Sequence, residues 1–111
     1  MGDVWIRTAS QGLIRAGHVT EIGTSRGSVH EETGYAVKAV AGGKAFVLID
    51  DSDLVGTQAE RLDHARQMQD ALLLAIDAAN DSSQSMVISY ENVGERWILT
   101  PVSGLASDFP P

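Results

Sequence analysis

The longest regular alternation of apolar and polar residues in the chain lies between Thr57 and Asn80. Apolar residues recur there every three or four positions, which is the spacing of one helix face: Leu62, Ala65, Met68 (or Gln69), Leu72, Ala75, Ile76 and Ala79. Thr57 and Glu60 have the spacing of a capping box, in which the two residues satisfy free backbone amides of the first turn. Turn-forming residues, Asn80-Asp81-Ser82-Ser83, end the pattern. The pattern therefore predicts one long helix over about 57–80.

Shorter patterns before this helix predict β-strands. Residues 4–8 and 13–16 have the alternation of extended chain, and Val19 and Ile22 have the spacing of a short helical turn or a β-bulge. We expect the segment that follows, 23–34, to be mostly a mobile surface loop.

Two hairpins are also predicted. The pair Gly42-Gly43 separates the runs 35–41 and 44–50, as in a hairpin with a two-glycine turn. Because Ala45 to Ile49 is apolar on both faces, we expect this strand at the centre of the sheet. The second hairpin covers 86–100, and Pro101 either ends its last strand or places that strand at an edge of the sheet.

This order of elements predicts an α+β fold. It consists of an antiparallel β-meander of about four strands, one long helix (about 57–80) packed on the sheet, and a C-terminal β-hairpin. We expect residues 1–102 to form a single domain and residues 103–111 to form a flexible C-terminal tail.

The predicted helix carries more apolar surface than one sheet needs. Leu74 and Ala78 point away from the face that carries Leu72 and Ile76. Either the last hairpin covers Leu74 and Ala78, or these two residues form the interface of a homodimer, the commonest kind of assembly.

Composition and charge limit the classes of function. The 111 residues include 43% hydrophobic and 21% charged residues and no cysteine, which is typical of a globular domain and excludes disulfides and thiolate chemistry. No apolar run reaches the ~20 residues that span a bilayer, so we expect a cytoplasmic protein without membrane contact. The net charge of −7, from 15 acids and 8 bases, argues against direct nucleic-acid binding. It fits a basic protein partner, imitation of a phosphate backbone, or simply a solubilising surface.

The sequence offers several polar clusters but no complete catalytic or metal-binding motif. Asp50, Asp51 and Asp53 could hold a hard cation, but Val55 and Leu62 occupy ligand positions of the calcium-loop pattern. The cluster His30-Glu31-Glu32 lacks the second histidine of a zinc motif, and we expect His64 to pair with Glu60. No serine-nucleophile elbow is present. We therefore expect no metal, no cofactor and no catalytic residues.

Near its start the chain has the strand pattern Trp5-Ile6-Arg7-Thr8, which is followed by Gly12-Leu13-Ile14, Val19, Ile22, Tyr35-Ala36-Val37 and the 57–79 helix. This layout resembles small uncharacterised bacterial and phage proteins. These begin with a Trp-Ile-Arg-like strand and end in a helix. The same order is similar to pleckstrin-homology-like modules, which are binding scaffolds, and to LytTR-type modules, which bind DNA. The resemblance covers about residues 4–79 and implies no catalytic residues.

Together these observations predict a non-enzymatic, acidic protein-interaction domain, either a homodimer or a subunit of a larger complex, such as an accessory protein or a phage- or plasmid-related protein. The expected partner surface consists of Arg26, His30, Glu31, Glu32, Asp50, Asp51 and Asp53. One alternative is an acidic inhibitor that mimics nucleic acid and blocks a basic host protein. Another is a small ligand-binding protein or enzyme with a pocket between sheet and helix, where His18 and a carboxylate would converge.

Overall fold

The computed structural model describes residues 2–26, 35–50 and 56–105. Within these ranges the fold is α+β, as predicted, with seven strands in two sheets and one long helix packed against them. The elements in chain order are β1 (Val4–Arg7), β2 (Leu13–Arg15), β3 (Val19–Arg26), β4 (Tyr35–Ala41), β5 (Lys44–Ile49), α1 (Gln58–Asn80), β6 (Met86–Glu91), β7 (Arg96–Pro101) and the one-turn helix α2 (Val102–Leu105).

Helix α1 begins at the predicted cap. The Glu60 backbone N–H donates to the Thr57 hydroxyl oxygen at 3.2 Å, so Thr57 satisfies one of the free amides of the first turn. The Thr57 hydroxyl also donates to the Glu60 carboxylate at 3.1 Å. This contact brings the two side chains together, whereas the capping-box pattern expects Glu60 to accept from the Thr57 backbone N–H.

The first sheet contains β3, β4 and β5 in that order, and both pairs are antiparallel. Gly42 and Gly43 form the turn between β4 and β5 with φ angles of 60° and 78°, which confirms the predicted two-glycine hairpin. Both features that the Val19–Ile22 spacing left open are present, the first just ahead of β3 and the second within it. A single 3₁₀ turn covers Ala16–His18, and a bulge lies between Val19 and Glu21.

The position predicted for β5 is wrong, because β4 is the central strand and β5 lies at the edge. The apolar run 45–49 is not buried along its whole length. Ala45 is exposed and only Leu48 and Ile49 are buried. A backbone hydrogen bond of 2.8 Å from the Ala9 N–H to the Val47 carbonyl meets the outer edge of β5.

The second sheet has the order β2-β1-β6-β7 and is mixed rather than purely antiparallel, which corrects the predicted sheet on this point. Strand β1 pairs with β2 in an antiparallel hairpin and with β6 in parallel, with Ile6 opposite Ile88. A parallel pair needs a long crossover, and the chain from β2 to α1 supplies it. The β6–β7 hairpin and its end at Pro101 are as predicted.

The buried face of α1 packs between elements of both sheets. Ala65, Leu72, Ala75 and Ala79 are buried, and they share one core with a set of strand residues that includes Ile6, Val37, Ile49 and Ile88. These helix residues belong to the predicted apolar face, which is therefore confirmed. Burial of such side chains is the main favourable contribution to the stability of the fold.

The segment after β7 begins with α2, and the Val102 backbone N–H donates to the Ser85 carbonyl at 2.9 Å. The rest of the predicted tail, 106–111, lies outside the described residues. No helix in the described part of the chain is both long and apolar enough to span a membrane.

Candidate functional site

The partner surface predicted from the sequence falls largely outside the described residues. This applies to His30, Glu31, Glu32, Asp51 and Asp53. Of the other two, Arg26 is the last residue of β3, and Asp50 is exposed directly after β5. The grouping of these seven residues on one surface stays a prediction.

The outer face of α1 carries exposed leucines. Leu73 is 63% exposed and Leu74 is 72% exposed, and Ala78 lies one turn further along on the same exposed side as Leu74. Leu74 and Ala78 point away from the buried face, as their spacing predicts. The β6–β7 hairpin leaves Leu74 uncovered. The alternative in which the last hairpin covers Leu74 and Ala78 is therefore wrong.

A row of aspartates runs along the same face. Asp63, Asp70 and Asp77 are all exposed and follow each other at intervals of seven residues, which is nearly two helical turns, or about 10.5 Å. Successive residues of a helix are separated by about 100° around its axis. The aspartate row therefore lies between Leu73 on one side and Leu74 on the other.

A groove separates α1 from the edge strand β3. It has a volume of about 320 Å³, and Val19, Ile22 and Leu73 provide its apolar surface. The Thr24 hydroxyl donates at 2.9 Å to the side-chain oxygen of Gln69, a residue that lines the groove. This hydrogen bond connects β3 to α1. The two carboxylates at the groove belong to Glu21 and Asp70. The groove extends the exposed apolar surface from Leu73 toward β3.

A separate, polar cavity lies at the end of the second sheet where β1 and β6 finish. Because these strands are parallel, both of their carboxyl ends lie at this side of the sheet. The cavity has a volume of about 340 Å³, and its lining residues are Arg7, Thr8, Ala9, Gln11, Leu48, Ser89, Tyr90 and Asn92.

Thr8 organises the tight loop that borders this cavity. It is buried, its hydroxyl oxygen accepts from the Gly12 backbone N–H at 3.0 Å, and its own N–H donates to the Gly12 carbonyl at 2.8 Å. Gln11 adopts a left-handed conformation with φ of 72°. The Gln11 carbonyl accepts from Arg7 Nη1 at 3.3 Å. The loop thereby holds one edge of the guanidinium.

His64 does not form the pair expected from the sequence. His64 Nε2 lies 3.1 Å from the Tyr90 hydroxyl, so the expected pairing with Glu60 is wrong. The Glu60 carboxylate faces Thr57 instead.

His18 lines a cavity of about 310 Å³ that also contains a carboxylate, that of Asp3. Arg15 forms an ion pair of 2.6 Å with Asp3, so this carboxylate is neutralised by an arginine. Across residues 2–26, 35–50 and 56–105, no group of three His, Asp or Glu side chains is arranged to hold a metal ion.

Comparison of the chain with protein-family models, with curated proteins and with solved structures finds no match. Sequence reasoning found Leu74 and Ala78 but missed the aspartate row, although its seven-residue spacing was visible. It also missed the Arg7 cavity, because the lining residues come from three distant segments of the chain.

Proposed function

We propose that this protein is a non-enzymatic protein-interaction domain that binds a protein partner through the outer face of α1. The observation that carries the proposal is the exposure of two leucines that are adjacent in sequence, Leu73 and Leu74, on the largely polar outer face of α1. Exposed apolar side chains grouped within a polar rim are typical of protein–protein contact surfaces. The groove formed with Val19 and Ile22 enlarges this surface.

The charges on this face favour a basic partner over a second copy of the chain. In an antiparallel pair of α1 helices centred on Leu73 and Leu74, Asp70 would lie opposite the second copy's Asp77. Two such acid–acid pairs would oppose self-association, because like charges directly opposite each other repel. A suitable partner would present apolar side chains to the two leucines and Lys or Arg to Asp63, Asp70 and Asp77. It would thereby match both the apolar surface and the charge of this face.

The test compares four forms of the protein as bait in a native-host lysate: wild type, Leu73→Glu, Leu74→Glu and Val93→Glu. Val93 is 97% exposed in the turn between β6 and β7, so Val93→Glu adds the same charge at an exposed apolar position outside α1. We expect wild type and Val93→Glu to capture the same protein and the two leucine variants to lose it. Equal capture by all four forms would contradict the proposal.

Light scattering on the same four proteins tests the homodimer. A dimeric wild type with a monomeric, folded Leu74→Glu variant would make the second copy the partner. Its dimer should then tighten as salt increases, because salt screens the Asp70–Asp77 repulsion. Binding to a basic partner should weaken as salt increases, so the sign of the salt dependence separates the two kinds of partner.

The aspartate row also favours a second candidate function, occupation of a nucleic-acid-binding site on a basic protein. In that case a variant with Asp63→Asn, Asp70→Asn and Asp77→Asn should lose the captured protein while Leu74→Glu retains it. The captured protein should also be released by added DNA or RNA. An interaction that depends on the leucines and ignores nucleic acid would contradict this second function.

A further inference from the structure

Arg7 is a half-buried cation without a carboxylate partner in the part of the chain that the structure describes. Two of the other arginines have one: Arg15 pairs with Asp3 at 2.6 Å and Arg96 with Glu91 at 3.4 Å. The chain has 15 acids for 8 bases, so carboxylates are abundant. Removing a cation from water without a counter-charge is unfavourable, and an anion in the adjacent cavity would relieve this cost.

The groups around Arg7 suit an anion. One guanidinium nitrogen donates to the Gln11 carbonyl, and the remaining N–H groups of this planar fork match the oxygens of a carboxylate or a phosphate. Ser89 and Asn92 also line this cavity. The hydroxyl of Ser89 can donate a hydrogen bond to an oxyanion.

The cavity is also held in a defined shape. The Thr8–Gly12 loop closes on itself through backbone and side-chain hydrogen bonds, and the Ala9 N–H holds it against β5. Tyr90 also lines the cavity, and its hydroxyl lies 3.1 Å from His64 Nε2. A preformed cavity of about 340 Å³ has the size of a small-molecule site.

We propose that this cavity binds a small oxyanion, namely the carboxylate or phosphate group of a compact polar molecule, with Arg7 as the charged contact. The site lies away from the outer face of α1, so it is independent of the proposed protein-interaction function. It adds a ligand-binding role to the end of the second sheet.

The experiment is an amide NMR titration of the full chain with inorganic phosphate and, separately, with succinate, at constant ionic strength set with sodium chloride. The readouts are the amides of residues 9–12 and 89–92. We compare wild type with Arg7→Gln and with Arg66→Gln, which removes the same charge from an exposed position on α1. We expect saturable shifts in both segments of the wild type. Arg7→Gln should bind with an affinity at least about 10-fold weaker. Arg66→Gln should bind like wild type.

The outcomes decide both the site and the ligand. Shifts with phosphate alone assign a phosphate-bearing ligand, and shifts with succinate alone assign a carboxylate-bearing one. The absence of saturable shifts with either probe would overturn the proposal, as would equal weakening by Arg7→Gln and Arg66→Gln. If Arg7→Gln does not fold, Ser89→Ala provides the same comparison, since it removes one donor and should weaken binding several-fold. Unchanged binding by a folded Ser89→Ala would then overturn the proposal.

Discussion

The indole nitrogen of Trp97 donates a hydrogen bond of 2.8 Å to the backbone carbonyl of Met68, in the middle of α1. Tyr90, opposite Trp97 on the neighbouring strand, packs edge-on against the indole with ring centroids 5.4 Å apart. The Tyr90 hydroxyl in turn meets His64. The last hairpin therefore contacts α1 on the side of His64 and Met68, and this placement leaves Leu74 exposed on the outer face.

Replacing Trp97 with Phe should lower the free energy of unfolding by about 1–3 kcal/mol. The variant removes the indole N–H that meets the Met68 carbonyl and leaves a small cavity at a residue that is only 9% exposed. Urea unfolding measures the change. Trp5→Phe is the control, because Trp5 is half-buried and its ring faces the Arg15 guanidinium at the surface. An equal loss in both variants would contradict the role assigned to the Trp97–Met68 contact.

Adjacent leucines of α1 should respond very differently to truncation. Leu72 is fully buried, so Leu72→Ala should lower the free energy of unfolding by about 2–5 kcal/mol. Leu74 is 72% exposed, and Leu74→Ala should change the free energy of unfolding by no more than about 0.5 kcal/mol. Urea unfolding at low protein concentration gives both values. A large loss for Leu74→Ala that grows with protein concentration would instead show that the homodimer contributes to stability.

The parts of the fold that could be predicted from the sequence depend on neighbouring residues. The start of α1 is determined by Thr57 and its apolar face by the spacing of residues such as Ala65 and Leu72. The β4–β5 turn follows from Gly42-Gly43, because only a residue tolerant of positive φ fits there without strain. Each of these signals lies within a few residues of the structure it determines.

The remaining features depend on contacts between distant segments. The parallel pairing of Ile6 with Ile88 joins residues on either side of the whole crossover, and no local pattern encodes it. The same pairing brings Arg7 and Ser89 to one cavity. The edge position of β5 was not predictable from its composition either, because Ala45 is apolar but lies exposed beside the Gly42-Gly43 turn.

The cap of α1 should contribute measurably to stability. Thr57→Ala removes the acceptor of the Glu60 N–H and should lower the free energy of unfolding by about 1 kcal/mol. Thr57→Ser keeps the hydroxyl and should change it little. Thr20→Ala tests whether the loss of any exposed threonine has the same effect, since the Thr20 hydroxyl makes only a long contact of 3.4 Å with the Val40 carbonyl. Equal losses for Thr57→Ala and Thr57→Ser would contradict the capping role.

Thr8 should affect both stability and anion binding, because its hydroxyl holds the loop that positions Arg7. Thr8→Val keeps the shape of the side chain but removes the side-chain acceptor of the Gly12 N–H, so the free energy of unfolding should fall by about 0.5–1.5 kcal/mol. In the variant that remains folded, the Gln11 carbonyl is less firmly placed, and phosphate or succinate should bind several-fold more weakly. Thr8→Ser retains the hydroxyl and should preserve both properties. Urea unfolding gives the free energy of unfolding of each variant, and the NMR titration gives its affinity for phosphate or succinate. Identical results for the valine and serine variants would mean that the hydroxyl does not organise the loop.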